Sequence, residues 1–159
     1  MKRFWTLVCV VALLLLMPAT VSAKVIRTPF ISWVVGYEVL DEGTWTYPGG
    51  RQHYRGMVEL LTINSENRLF VGQRRIVANG NLDAAGLGHV WGTYHMDIHE
   101  VDGYWEGTWH GEFTEAGIVA KMRGRGYGDL AGMRIQGTAA MDEFGVLSTT
   151  GVIIELPHR

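Results

Sequence analysis

His95, Asp97 and His99 occupy alternate positions, and Glu106 and His110 follow one short turn later. In an extended strand, residues two apart project from the same face, so two imidazoles and a carboxylate stand in one row. Those are donors that zinc and other transition ions take. The same face, carried onto the next strand, adds Lys121, Arg123 and Arg125. These cations oppose a divalent ion, and rows of alternating sign are what a solvated sheet face carries. The reading is a charged outer face with no metal site and no cofactor.

A second set of polar residues shares its faces with apolar ones. Tyr54, Gln73 and Arg75 alternate in step with Val58, Leu60, Leu69 and Val71, while Tyr94 keeps company with Met96, Trp105 and Trp109. A few polar groups in an apolar, aromatic wall is how small-molecule pockets are built. The candidate ligand-binding residues are therefore Trp105, Trp109, Tyr94 and Met96 as walls, with Tyr54, Gln73 or Arg75 orienting a polar end. The plainer alternative puts Tyr54 and Arg75 at a wet rim, because buried arginine is rare without a partner.

Other chemistries find no footing. The one cysteine is Cys9, and no serine sits on a strand-to-helix elbow. Asp41-Glu42 and Asp142-Glu143 lie in turns. Gly124-x-Gly126-x-Gly128, with Gly132 beyond, mimics a dinucleotide fingerprint, but strand patterns flank it on both sides where a helix N-terminus is needed.

Hairpins must position these residues. Asp102-Gly103 between two alternating runs predicts a two-residue type I′ turn, which needs φ > 0 twice. Counting from Val101 opposite Tyr104 sets His99 against Glu106, Asp97 against Thr108, His95 against His110 and Met96 against Trp109. A turn at Thr114–Gly117 then sets Glu106 against Arg125, Trp105 against Gly126 and Trp109 against Met122. Gly124, Gly126 and Gly128 share the tryptophan face, where a strand without side chains leaves room for large rings. Trp105, Trp109, Met96, Ile98 and Phe113 are expected inward. His95, Asp97, His99, His110 and Arg123 are expected outward.

Tyr54–Ile63 and Arg68–Val77 read as a second hairpin, with Leu60 opposite Val71 and Val58 opposite Gln73. Its other face carries Met57, Leu61, Ile63 and Phe70 among Arg55, Glu59, Arg68 and Arg74. That apolar group predicts either a homo-oligomer contact or a cover from the strand Ile31–Leu40 or the loop through Pro48. Met133–Met141 and Val146–Leu156 form a third hairpin around Asp142–Gly145. The whole predicts an all-β fold, a single antiparallel up-and-down barrel of about eight strands, with an open sandwich as the competitor.

The ends and composition bound the rest. Lys2-Arg3, the apolar run Leu7–Met17 and the small residues Val21-Ser22-Ala23 have the layout of a secretory signal peptide. Residues 1–23 are thus expected to be removed, leaving a barrel domain over residues 24–159, exported to the periplasm or beyond the cell and free of the membrane once cleaved. The leader holds two of the 14 basic residues and none of the 16 acidic ones, leaving a mature balance of −4. Such a balance gives nucleic acid nothing to hold. All 21 glycines lie beyond residue 23, a density suited to turns, bulges and crowded sheet interiors.

Tyr54-Arg55-Gly56, Trp91-Gly92-Thr93, Trp105-Glu106-Gly107-Thr108-Trp109-x-Gly111 and Gly124-x-Gly126-x-Gly128-Asp129-Leu130-Ala131-Gly132 resemble the allene oxide cyclase and dirigent-like barrel group, in particular its small bacterial members. The resemblance covers about Arg51 to Gly137. It implies an eight-stranded barrel with an apolar lumen, often in a homo-oligomer, that in plant members guides cyclisation or coupling of a reactive small molecule. It carries no catalytic residue onto a position here. Three readings follow: a barrel that binds a small apolar or aromatic molecule, a cyclase or isomerase using the same cavity, and a structural barrel whose lumen is packed.

Overall fold

Alternation of apolar and polar residues, broken by glycine and aspartate turns, sets out nine strands among the described residues. The computed structural model describes residues 24–142 and 144–156; the expected leader and Glu143 lie outside the described residues. The strands are β1 (Ile26–Asp41), β2 (Thr44–Thr46), β3 (Gln52–Ser65), β4 (Gly72–Leu82), β5 (Gly88–Ile98), β6 (Gly103–Thr114), β7 (Gly117–Gly128), β8 (Met133–Met141) and β9 (Leu147–Glu155). From β3 to β9 each strand pairs antiparallel with the next, and β1 pairs with both β9 and β3. The result is a closed eight-stranded barrel with β2 outside it, on β3. Closure removes the free edges that an open sheet of this length would expose. No helix among the described residues is long and apolar enough to cross a membrane.

Strand β1 serves two neighbours in succession. Ile26–Trp33 pairs with β9, and Ser32–Asp41 pairs with β3. Beyond Trp33, opposite Ser148, β1 has left β9, and its second half keeps one partner. A bulge between Val34 and Gly36 marks the departure. It also changes which side chains point in: Phe30, Ser32 and Val34 before it, Tyr37 after it.

The β6–β7 register is the one counted from the sequence, with Trp105 opposite Gly126, Glu106 opposite Arg125 and Trp109 opposite Met122. The β5–β6 register is not. His95 lies opposite Glu106, Met96 opposite Trp105 and Tyr94 opposite Gly107, four residues away from the pairing expected of an Asp102-Gly103 turn. Neither Asp102 nor Gly103 takes the positive φ that turn requires. His99–Asp102 instead make a wider loop, pinned by the His99 N–H to Val71 O at 3.0 Å and the Asp102 N–H to Asp129 Oδ2 at 3.3 Å. Because the slip is even, no side chain changes face. Trp105, Met96, Ile98, Trp109 and Phe113 point in, as read.

The β3–β4 hairpin departs further. Arg68–Phe70 coil into a 3-10 turn instead of extending, so Ile63 pairs with Gly72 and Leu60 with Arg75. At Arg55-Gly56 a bulge, with Gly56 at φ +71, inserts one extra residue between Tyr54 and Met57, so both point inward. The consequences correct the sequence reading. Met57, Leu61, Ile63 and Phe70, expected to form an outward contact for a second copy, are interior, with Leu61, Ile63 and Phe70 almost fully buried. Arg74 also points in, whereas Gln73 and Arg75 point out.

Two clusters pack inside the barrel. At the end formed by the β3–β4, β5–β6 and β7–β8 connections, Phe30, Ile63, Phe70, Met96, Trp105, Leu130 and Ile135 pack to near-complete burial. Phe70 lies 4.1 Å from Phe30, centroid to centroid, and Leu130 drops in from its turn over Gly126. Tyr54, Ala78, Leu82 and Val90 form the second cluster toward the opposite end, with Trp45 of β2 laid on the Tyr54 ring at 4.8 Å. Inward glycines make these packings possible. The Tyr94 ring stands over Gly107 and Gly124, and Trp109 stands over Gly92.

Candidate functional site

Between the two clusters the barrel is not filled. A cavity of about 600 Å³ runs from the Arg74 and Tyr94 side chains to an opening at the end of the β6–β7 and β8–β9 turns. The volume is within the range of small-molecule pockets. Met57, Leu61, Ile76, Trp109, Phe113 and Met122 are among the residues of its apolar wall. It opens where β1 has parted from β9, so Val35 and Tyr37 face Met141 and Val146 across the gap. These four rim residues are exposed, although three are apolar.

Few polar groups reach this space. Glu59 is the carboxylate in the wall, and it accepts a hydrogen bond from the Tyr37 hydroxyl at 2.7 Å near the mouth. Burial and then that hydrogen bond raise the Tyr37 phenol above its ordinary range. Tyr54 is pushed up to about 12, first by burial and then by the charge of Glu59. The sign is that of a group held neutral in the fold. Its contribution to stability is complete below pH 10 and is lost as pH climbs toward about 12. Tyr54→Phe is expected to make alkaline unfolding shallower in that interval, as followed by circular dichroism against pH.

Arg74 lies at the inner end and is 5% exposed. Its guanidinium rests on the faces of Phe70, at 5.1 Å, and Tyr94, at 5.7 Å. Nη2 has the Met96 thioether at 3.9 Å, and Nε has no hydrogen-bond partner. No carboxylate among the described residues forms an ion pair with it. Burial depresses it to about 10, partly offset by Tyr94. Cation–π contact returns about 2 kcal/mol when desolvated, against a penalty of several kcal/mol for burying the ion. The aromatic faces leave that difference unmet. Tyr94 Oη and Trp109 Nε1 are also buried without a hydrogen-bond partner, and burial raises the Tyr94 phenol.

The structure divides the expected lumen residues into three groups. Tyr54, Tyr94 and Trp109 line the cavity. Trp105 and Met96 point inward but belong to the packed end, where the Trp105 indole N–H donates to Leu69 O at 2.8 Å. Gln73 and Arg75 are outside, and Arg75 borders an exterior groove with Thr93, His95 and Glu106. Sequence reading passed over Arg74 and Glu59 as outer-face charges. A signal was present: Gly72, Ala78 and Gly80 share the Arg74 face of β4, and small residues marked the interior of β7 in the same way.

The histidine row is a surface feature. His95 lies between Asp97, at 3.0 Å from Nε2, and Glu106, at 3.2 Å from Nδ1, and stacks on Tyr104 at 4.6 Å. The four-residue slip moves His110 opposite Trp91 and away from His95. Among the described residues no three His, Cys, Asp or Glu side chains are grouped to hold a metal ion. No protein-family model matches this chain, and no curated relative matches it in sequence.

Proposed function

We propose that the barrel binds one small, largely apolar molecule in its lumen, as an exported protein outside the cytoplasm. The observation that carries this reading is the 600 Å³ space left in a barrel whose other end is packed to near-complete burial. A purely structural barrel gains by filling such a space, since each unfilled volume forfeits dispersion contacts. Ligand would enter past Val35, Tyr37, Met141 and Val146 and lie against Trp109, Met57 and Phe113. The resemblance to the allene oxide cyclase and dirigent-like group supports the reading, because such barrels use their lumen. Titration with uncharged apolar probes such as N-phenyl-1-naphthylamine is expected to quench tryptophan emission saturably, and Trp109→Phe to remove most of that signal. Absence of uptake across such a panel would leave the structural reading.

A cyclase or isomerase acting in the same cavity has one observation in its favour. Glu59, paired to Tyr37 inside the mouth, is a carboxylate positioned to accept a proton from a bound molecule. Turnover of a reactive substrate would then fall by about 100-fold or more in Glu59→Gln, whereas a binding protein keeps its affinity in that variant.

The export part of the proposal rests on the leader pattern of residues 1–23. Mass spectrometry of the protein from its native host is expected to find Lys24 at the N-terminus. A chain still beginning at Met1 would remove it. A homo-oligomer remains part of the reading only through some surface other than the interior group Met57, Leu61, Ile63 and Phe70.

A further inference from the structure

We propose that the ligand of this lumen is an apolar organic acid, one carboxylate on an alkyl or aromatic body, and that Arg74 holds the carboxylate. The inference rests on the reading that the lumen binds a small molecule and names the chemical class of that molecule. Arg74 is 5% exposed, lines the cavity, and has no ion-pair partner among the described residues. Among the described residues, two of the three buried side-chain polar atoms without a hydrogen-bond partner, Arg74 Nε and Tyr94 Oη, belong to side chains in contact with each other at the inner end of the cavity. Both are donors. A guanidinium presents a planar fork that matches a carboxylate, and the bonds it makes there are charge-assisted. A buried arginine without a partner is costly and rarely kept, unless something occupies the space before it.

The distribution of charge inside the wall gives the acid one orientation. Glu59 stands near the mouth, engaged by Tyr37, so an anionic head is repelled there and drawn to the far end. The body of the molecule then lies along Ile76, Trp109 and Met122, with its tail toward Met141 and Val146. Glu59 is also the rival partner for Arg74: two residues from Leu61, which lies opposite Arg74, it shares the inner face of β3 with it. In the structure its oxygen is given to Tyr37 instead. The other titratable groups facing the cavity are Tyr37, Tyr54 and Tyr94, none of which is anionic near neutral pH.

The test compares two probes of equal chain length, dodecanoate and dodecan-1-ol, with the uncharged N-phenyl-1-naphthylamine as a control for the lumen itself. At about pH 8, well above the ordinary carboxyl range, wild-type protein is expected to bind dodecanoate about tenfold or more tightly than the alcohol. In Arg74→Met the preference disappears while the alcohol and the naphthylamine bind as before. Arg74→Lys retains part of it. The preference also fades in the wild type as pH falls to about 4 and the carboxylate takes its proton, a readout that needs no variant should Arg74→Met fail to fold. Equal affinity for the acid and the alcohol, with the naphthylamine still taken up, would overturn the acid assignment and leave the lumen reading intact. A preference that survives in folded Arg74→Met would overturn the role of Arg74. Failure of all three probes to bind would defeat the lumen reading, and this inference with it.

Discussion

Leu61→Asp is expected to unfold this barrel, and Leu60→Asp, one position away, to leave it folded. Leu61 is 3% exposed and packs in the cluster with Phe30, Ile63 and Phe70. Replacing it loses the burial of a leucine, about 2–5 kcal/mol, and places an unpaired carboxylate among apolar groups. The sum is on the order of the whole stability of a domain of this size. Leu60 is half-buried on the outer face, between Arg75 of β4 and Glu38 of β1, where an aspartate reaches water and the Arg75 cation with Glu38 as a like-charged neighbour. Circular dichroism and thermal unfolding of the two variants check the expectation. The contrast tests the Arg55-Gly56 bulge directly, because without that extra residue the two positions would exchange faces. A folded Leu61→Asp that had merely lost an oligomeric contact would contradict the structure.

Gly124→Val is expected to destabilise the barrel by about 2–3 kcal/mol, a fall in Tm of about 10 °C. A Cβ at Gly124 would meet the Tyr94 hydroxyl and come within 2.7 Å of the Glu106 carbonyl oxygen. The carbonyl belongs to a paired strand and cannot move far, so the Tyr94 ring must. Tyr94→Ala in the same background is expected to return part of the loss, since residues in contact couple by 0.5–3 kcal/mol. Calorimetric Tm values of the two single variants and the double measure that coupling. Costs that simply add would show that Gly124 does not serve the Tyr94 ring.

The architecture was legible because two kinds of local rule agree. Alternation set the strands, and the glycine row on β7 identified the tryptophan face as the inside. That assignment survived a register error of four residues between β5 and β6, since an even slip conserves faces. On β3 no such protection existed. A single-residue bulge at Gly56 inverts every side chain beyond it, and nothing in Tyr54-Arg55-Gly56-Met57 distinguishes a bulge from continuous strand. On β4, Arg74 and Arg75 are adjacent residues of one kind, so periodicity alone chose between them by their neighbours. Treating Arg75 as the inward member followed from pairing β4 against an unbulged β3. The cavity itself was less legible still. It arises where β1 changes partners from β9 to β3, and that event has no local signature beyond a run of apolar residues at Trp33–Val35.

A cavity-filling variant tests most directly whether the lumen is open to a small molecule. Ala139 lies on β8 in the cavity wall, paired with Ala120 and Thr149, so a larger side chain there extends into empty space and not into a packed neighbour. Ala139→Phe is expected to keep the wild-type circular dichroism and Tm, or to raise the Tm slightly. It is also expected to weaken saturable uptake of N-phenyl-1-naphthylamine by about tenfold or more, because volume taken from a pocket is lost to its ligand. Undiminished uptake in the folded variant would place the probe elsewhere on the protein and contradict the central claim.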